Sequence, residues 1–266
     1  MFKPTQSQSR SPMIKLCLSL LAMLGPVASS YAELNQAQVD QLISKADDYR
    51  LSEESAKVVS IVSLYQNQLL DKTRQYNVYS RPNRESLVVF KSAVEAGQKM
   101  LMLQDNFWLQ MPKSRRPIRI TPMQKLLGEA SVGDISSLTW NQDYQGKWVN
   151  DTQVNDQNGL SYQSHQLVLV AKTSSASYQK IALWLEKDTG FPIKADLYLL
   201  SGKLAKQAIF IRGVRNNRLA VTAMSLSDAI QPSKKTVIEY QSVTPMTLAD
   251  KYYNPSFLAR NSTTEL

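Results

Sequence analysis

From residue 57 to residue 243 the chain alternates short runs rich in Val, Ile, Leu, Phe and Tyr with short polar turns. The runs fall at 57–70, 74–80, 86–92, 99–104, 107–111, 118–121, 165–172, 178–186, 191–200, 204–212, 218–226 and 234–243. Between them lie turn-forming sequences such as Arg81-Pro82-Asn83-Arg84, Asp105-Asn106, Lys187-Asp188-Thr189-Gly190 and Asn216-Asn217. Consecutive strands joined by tight turns form an antiparallel meander. A meander of this length must curl to bury its inner face. One stretch, 150–163, is polar and reads as irregular.

Helical signals are few. Asn35 can cap a segment in which Val39, Leu42, Ile43, Ala46 and Tyr49 fall on one face. Pro122 and Gly128 bracket a second short helix, and a third fits 133–144, with Asp134 as its cap. Three short helices cannot wrap the outside of such a sheet, so they are expected to cover its inside. The predicted class is mainly β: a curled antiparallel sheet with a few helices plugging its inside.

The amino-terminal segment has a separate logic. Lys15 precedes an apolar run from Leu16 to Val27, and Ser30-Tyr31-Ala32 supplies small residues at the positions a signal peptidase reads. The expected organisation is a signal peptide over 1–32 and a single domain over 33–266. The expected compartment is the periplasm. The apolar run is short for a membrane anchor. Cys17 is the sole cysteine and lies early in that run, so the mature chain has no thiol for disulfides, metal or catalysis. Whether Met1 or Met13 is the true start is left open by the sequence.

Lys and Arg number 31 against 22 Asp and Glu, a net charge of +9. Lys3, Arg10 and Lys15 precede the expected cleavage point with no acid among them, so the mature chain carries 28 against 22, net +6. The charges are scattered, and an exported chain has no call on nucleic acid. Lys113, Arg115 and Arg116 form the densest basic cluster. It reads either as a solvated turn or as a contact for an anionic head group or membrane surface. His165 is the single histidine. It has no ligand or nucleophile motif around it and reads as a strand-edge residue. No phosphate-binding glycine loop or nucleophile elbow is present. The expectation is therefore a non-enzyme without metal or cofactor.

Large adaptable side chains gather on the central hairpin and the segment after it. Met100, Met102, Trp108 and Met111 belong to the first, and Met123, Leu126 and Leu127 to the second. Methionine suits irregular apolar ligands as well as ordinary cores. Alternation puts Met100 and Met102 on one face and Leu101 and Leu103 on the other, without saying which face is the cavity.

The order and spacing of several segments carry a family resemblance. They are Asn106-Phe107-Trp108-Leu109-Gln110-Met111-Pro112, Arg115-Arg116-Pro117-Ile118-Arg119-Ile120-Thr121, Val132-Gly133-Asp134-Ile135, Tyr178-Gln179-Lys180-Ile181-Ala182-Leu183-Trp184-Leu185 and Phe191-Pro192-Ile193-Lys194-Ala195-Asp196-Leu197-Tyr198. With them the chain resembles the periplasmic outer-membrane lipoprotein-sorting proteins of LolA/LolB-like fold. It departs where that family often has an aromatic, at Gln110, and a bulkier stretch near Gly133-Asp134-Ile135, so ligand details are not carried over. The resemblance implies an incomplete antiparallel β-barrel, a curved sheet with helices covering the concave side, and between them an apolar cavity for the acyl chains of a lipoprotein or lipid, with the seven large apolar residues named above as its lining or lid. It also implies transient membrane contact, an inner-membrane lipid-exporting transporter as partner, and a monomer. A sensor or adaptor of the same fold, signalling rather than transporting, remains the second reading.

Overall fold

The computed structural model describes residues 33–51, 54–136, 139–174, 176–228, 233–259 and 266. The expected signal peptide over 1–32 lies outside them. Fifteen strands and three helices are found among the described residues. The strands are β1 (Ala56–Gln66), β2 (Leu69–Arg81), β3 (Glu85–Phe90), β4 (Lys99–Leu103), β5 (Asn106–Gln110), β6 (Ile118–Ile120), β7 (Lys125–Leu127), β8 (Ala130–Ser131), β9 (Tyr144–Asn155), β10 (Ser161–Ala171), β11 (Lys180–Glu186), β12 (Pro192–Tyr198), β13 (Leu204–Arg215), β14 (Arg218–Ser227) and β15 (Lys234–Pro245). The helices are α1 (Gln36–Arg50), α2 (Val132–Ser136) and α3 (Pro255–Leu258).

All strands but β7 and β8 join one antiparallel sheet in the order β6-β5-β4-β3-β2-β1-β15-β14-β13-β12-β11-β10-β9. The first and last long strands, β1 and β15, pair at its centre, and β6 and β9 are left as edges. The sheet curls, as the meander predicts, and does not close, as the resemblance implies. Its strands alternate. Val78, Val88, Met100 and Met102 enter the larger apolar cluster on the inner face, whereas Tyr79, Leu87, Val89 and Leu101 enter a smaller one on the outer face.

The inner cluster is covered by two pieces of chain. Helix α1 begins as the sequence predicts. Asn35 accepts from the Gln38 N–H, and Gln38 returns the bond in a capping box. Val39, Ile43 and Ala46 are buried against the sheet. Gln36 donates to the Gly146 carbonyl of edge strand β9 at one end, and Tyr49 donates to Thr189 at the other. The second piece is the connection from edge β6 to edge β9, residues 121–143. It turns inward, and Leu127, Ala130, Val132, Ile135 and Trp140 join the inner cluster.

This connection corrects two expectations. Residues 122–128 are not a helix: β7 and β8 pair as a small hairpin across Gly128. Gly128 sits at φ +55°, so it marks a tight turn rather than a helix stop. The third helix is also shorter than 133–144, ending at Ser136, and Tyr144 already belongs to β9. Two strand boundaries differ as well. The run 57–70 is broken by a two-residue turn at Asn67 (φ 50°) and Gln68 (φ 67°), the paired positive φ values of a type I′ hairpin. The polar stretch 150–163 contains the second half of β9 and the start of β10. As an edge strand, β9 tolerates polar side chains on both faces, which erases the apolar alternation.

The outer cluster is closed by the carboxyl-terminal tail. Leu248, Tyr253 and Leu258 pack on Tyr79, Leu87, Val89 and Leu101. The Tyr253 hydroxyl donates to the Tyr79 carbonyl at 3.2 Å, and the Arg81 guanidinium lies 3.8 Å from the Tyr253 ring centre. Buried Lys99 donates to the Leu258 carbonyl at 3.1 Å.

A Cβ on Gly128 would run into the Thr236 hydroxyl and approach Leu64 Cδ1 at 2.7 Å, in a backbone conformation that disfavours any side chain. Gly128→Ala is therefore expected to destabilise the protein by about 2–4 kcal/mol. Gly202→Ala has positive φ but open space around it and should cost only about 1 kcal/mol. Urea denaturation of both variants checks the difference.

Candidate functional site

The site is the interior beneath α1 and the 121–143 connection. Strand β13 aims Lys206, Ala208 and Phe210 inward at every second residue, and all three are buried. Lys206 is 2 % exposed, so its ammonium needs partners within the protein. It donates to Asp134 Oδ2 at 2.8 Å and to the backbone carbonyl of Glu129. Asp134 also accepts from the Ser131 amide and hydroxyl at 2.8 and 2.7 Å and from the Tyr178 hydroxyl at 2.7 Å. Burial pushes the Asp134 carboxyl up. The Lys206 charge and these hydrogen bonds outweigh burial and hold it below the usual carboxylate range. One lysine thus pins both the β7–β8 hairpin and α2 to the sheet.

A second polar joint ties α1 to the same connection. Asp47 is buried, and its carboxylate accepts from the Trp140 amide at 2.7 and 2.8 Å and from the Asn141 amide at 2.8 Å. Burial dominates here and raises its pKa to about 6, against the lowering effects of Arg50 and the two amides. The Arg50 guanidinium lies 4.1 Å from the Trp140 ring centre, and Trp140 meets Phe210 edge to face at 5.5 Å. What remains empty among Arg50, Asp134, Trp140, Tyr178, Phe210 and Met224 is a cavity of about 40 Å³. That is room for about one water molecule.

A third joint crosses the seam of the sheet. Asn83 and Arg84 form the β2–β3 turn with φ 65° and 59°. Arg84 bonds Asp105 at 2.7 Å and makes a close ion pair with Asp143. Thr173, past the end of β10, donates to Asp105 at 3.1 Å. Side chains therefore bridge the gap that no strand ladder closes.

The sequence-predicted residues divide. Met100, Met102 and Leu127 are buried in the inner cluster, and Met123 and Leu126 pack partly buried against it. Trp108 lies on the opposite face of the hairpin, beside the outer cluster, with the Arg119 guanidinium 4.7 Å from its ring centre. Strand register explains this: Trp108 is paired with Leu101, one step out of phase with Met100 and Met102. Met111 is exposed just beyond β5. Lys113, Arg115 and Arg116 are exposed in the loop before β6. None of these ten residues lines the inner cavity; the five apolar ones that face inward belong to the packed cluster beside it. His165 accepts or donates at 2.6 Å to Asp151, which also binds Lys187 and the Trp148 indole. It is part of a structural cluster beside edge strand β9. Among the described residues no group of His, Cys, Asp and Glu is placed to hold a metal. No helix among them is long and apolar enough to cross a membrane.

Sequence reading passed over Asp47, Arg50, Tyr178 and Lys206. For Lys206 a signal existed, because it shares the phase of Ala208 and Phe210 on an alternating strand.

Removing one member of the central pair leaves a buried charge alone. Lys206→Met is expected to cost about 3–5 kcal/mol, and adding Asp134→Asn should recover part of that loss. Equal destabilisation of the single and double variants in urea melts would exclude the pair as the anchor. Asp47 makes a pH-dependent contribution. Its folded pKa lies above the unfolded value of 3.8, so the folded protein holds the extra proton between about pH 4 and 6 and loses stability as pH rises through that window. Asp47→Asn keeps an acceptor oxygen and removes the titration. Between about pH 4 and pH 7 the variant should gain about 3 kcal/mol relative to the unmodified protein. Stability curves at stepped pH values measure it. Asp143, whose pKa burial also raises, keeps a slope of the same sign in both proteins.

Comparison with known proteins places this geometry. No curated protein sequence matches the chain. Among solved structures, a LolA superfamily protein from Nitrosomonas europaea aligns with a TM-score of 0.73 and 26% identity, over 81% of this chain and 97% of that one. A putative outer membrane lipoprotein-sorting protein domain from Vibrio parahaemolyticus aligns with a TM-score of 0.66 and 18% identity, over 85% and 100%. A DUF1329 family protein from Desulfovibrio piger aligns with a TM-score of 0.64 and 22% identity, over 83% and 98%. One family model, described as "Uncharacterized protein", matches residues 82–260. An open curled sheet plugged by its own edge-to-edge connection, together with these matches, shows that the chain belongs to that family and has the LolA-like fold.

Proposed function

We propose that the mature chain, residues 33–266 after removal of a signal peptide over 1–32, is a periplasmic carrier. It holds the acyl chains of a lipoprotein or lipid for transfer between envelope membranes. The observation that carries this reading is the inner face of the sheet. It is a continuous apolar surface covered by separate segments, α1 and the 121–143 connection, held there by apolar packing and by side-chain joints such as Lys206 to Glu129 and Asp134, Asp47 to Trp140 and Asn141, and Arg84 to Asp143. Each methylene moved out of water onto such a surface is worth about 0.8 kcal/mol, so an acyl chain can compete for it when the cover swings away. The matched structures include a protein described as lipoprotein-sorting, which supports the same reading. In it Met100, Met102, Met123, Leu126 and Leu127 receive the ligand. Lys113, Arg115 and Arg116 meet an anionic membrane surface. An inner-membrane lipid-exporting transporter is the partner, and the chain works as a monomer with no catalytic step.

One observation favours a second reading. The inner cavity is only about 40 Å³, far below the several hundred of a ligand pocket. A chain that keeps its plug in place is an adaptor or sensor that reports on an envelope lipid or protein.

The two readings separate in a binding experiment. The uncharged apolar fluorophore Nile red should bind the carrier with little dependence on salt, because burial of apolar surface is not screened. Leu126→Asp should weaken that binding about tenfold or more, since it replaces a side chain worth about 1.5–3 kcal/mol of burial. Association with anionic vesicles should fall as salt rises, and replacing Arg115 and Arg116 by Gln should weaken it further. Absence of fluorophore binding at every salt concentration would leave the adaptor.

A further inference from the structure

Where α1 ends against the seam, a second pocket of about 310 Å³ opens between the helix, the β2–β3 turn and the chain leading into β9. In a chain of net charge +9 its walls have the opposite sign. The cations in it are already engaged: Arg81 with Glu85 and Asp250, and Arg84 with Asp105 and Asp143. Asp48 and Glu54 also line it. Both are exposed, and neither forms an ion pair among the described residues. Deeper in, Ser136 is 3 % exposed, and its hydroxyl has no hydrogen-bond partner among the described residues. Met102, a member of the inner apolar cluster, lines the same pocket. The pocket thus runs from free carboxylates at the rim to an orphan hydroxyl and an apolar wall.

That order of groups selects a ligand. An alkylammonium carries three donors and a positive charge on an apolar stem. Its head answers the two carboxylates and the hydroxyl oxygen, and its stem points towards Met102. An anionic head would meet uncompensated carboxylates. We propose that this pocket receives the primary ammonium group of an amine-bearing amphiphile. The proposal rests on the carrier reading and narrows its cargo to ligands with a free amine. It gives the rim a role distinct from that of the basic loop at Lys113, Arg115 and Arg116.

The test uses the mature chain and dodecylammonium, dodecanol and dodecanoate, titrated below their micelle concentrations. Butylammonium serves as a head with almost no stem. Dodecylammonium should bind about fivefold to tenfold more tightly than dodecanol, the scale of two partly exposed charge contacts. Asp48→Asn with Glu54→Gln should abolish that preference. Ser136→Ala should reduce it, and its melting temperature separates a lost contact from a lost fold. Equal affinity for ammonium and alcohol, or a preference that survives the double substitution, overturns the pocket while leaving the carrier standing. Binding of butylammonium with no binding of dodecanol keeps the pocket and overturns the carrier. Binding of none of the four overturns both.

Discussion

A curled antiparallel sheet that does not close has an apolar inner face it cannot cover with its own strands. Here the strands supply the face and two edges, β6 and β9. Burying that face is worth far more than any single polar contact, so some other part of the chain must lie on it. The part that does is the connection between the two edges. The segment that would have zipped the barrel shut with a further ladder fills it instead. The location of α1, the brevity of α2 and the depth of Trp140 all follow from this substitution of plug for ladder.

A plug made of irregular chain brings its backbone polar groups inside with it, and these need partners. The interior is therefore not a dry hydrocarbon tunnel. Lys206 answers the Glu129 carbonyl, Asp47 answers the Trp140 and Asn141 amides, and Thr236 accepts from the Glu129 amide. These contacts specify one position of the plug among the many that apolar packing alone would tolerate. Burying a carboxylate has a cost, visible in the raised pKa of Asp47. Where the carboxylate faces a full ammonium, as at Asp134, the balance reverses.

The sheet was legible because its central strands are buried on one face and alternate, and because Gly and Asn mark most of its turns. Helix α1 was legible for the same reason at another period, with Asn35 and Gln38 as its start signal. The plug was not. Pro122 and Gly128 carry the punctuation of a helix, yet Gly128 sits in the turn of a hairpin, and only its close approach to Thr236, more than a hundred residues away, reveals which it is. Strand β9 was hidden because an edge has no second neighbour to enforce alternation. The candidate site was half legible. Composition pointed to Met100, Met102 and Leu127 as interior, but strand phase alone could not place Trp108. The charges that fix the plug looked like ordinary surface residues until their partners came together from distant strands.

The carboxyl-terminal tail divides the sheet into mechanically unequal halves. Strands β2 to β4 are packed on both faces, by the inner cluster on one side and by Leu248, Tyr253 and Leu258 on the other. Across the sheet, Val170 of β10 and Val214 of β13 stand exposed. Backbone amides of the sandwiched half are shut away from solvent twice over, and those of the other half once. Amides of the second half should therefore exchange with solvent sooner than those of the strands under the tail.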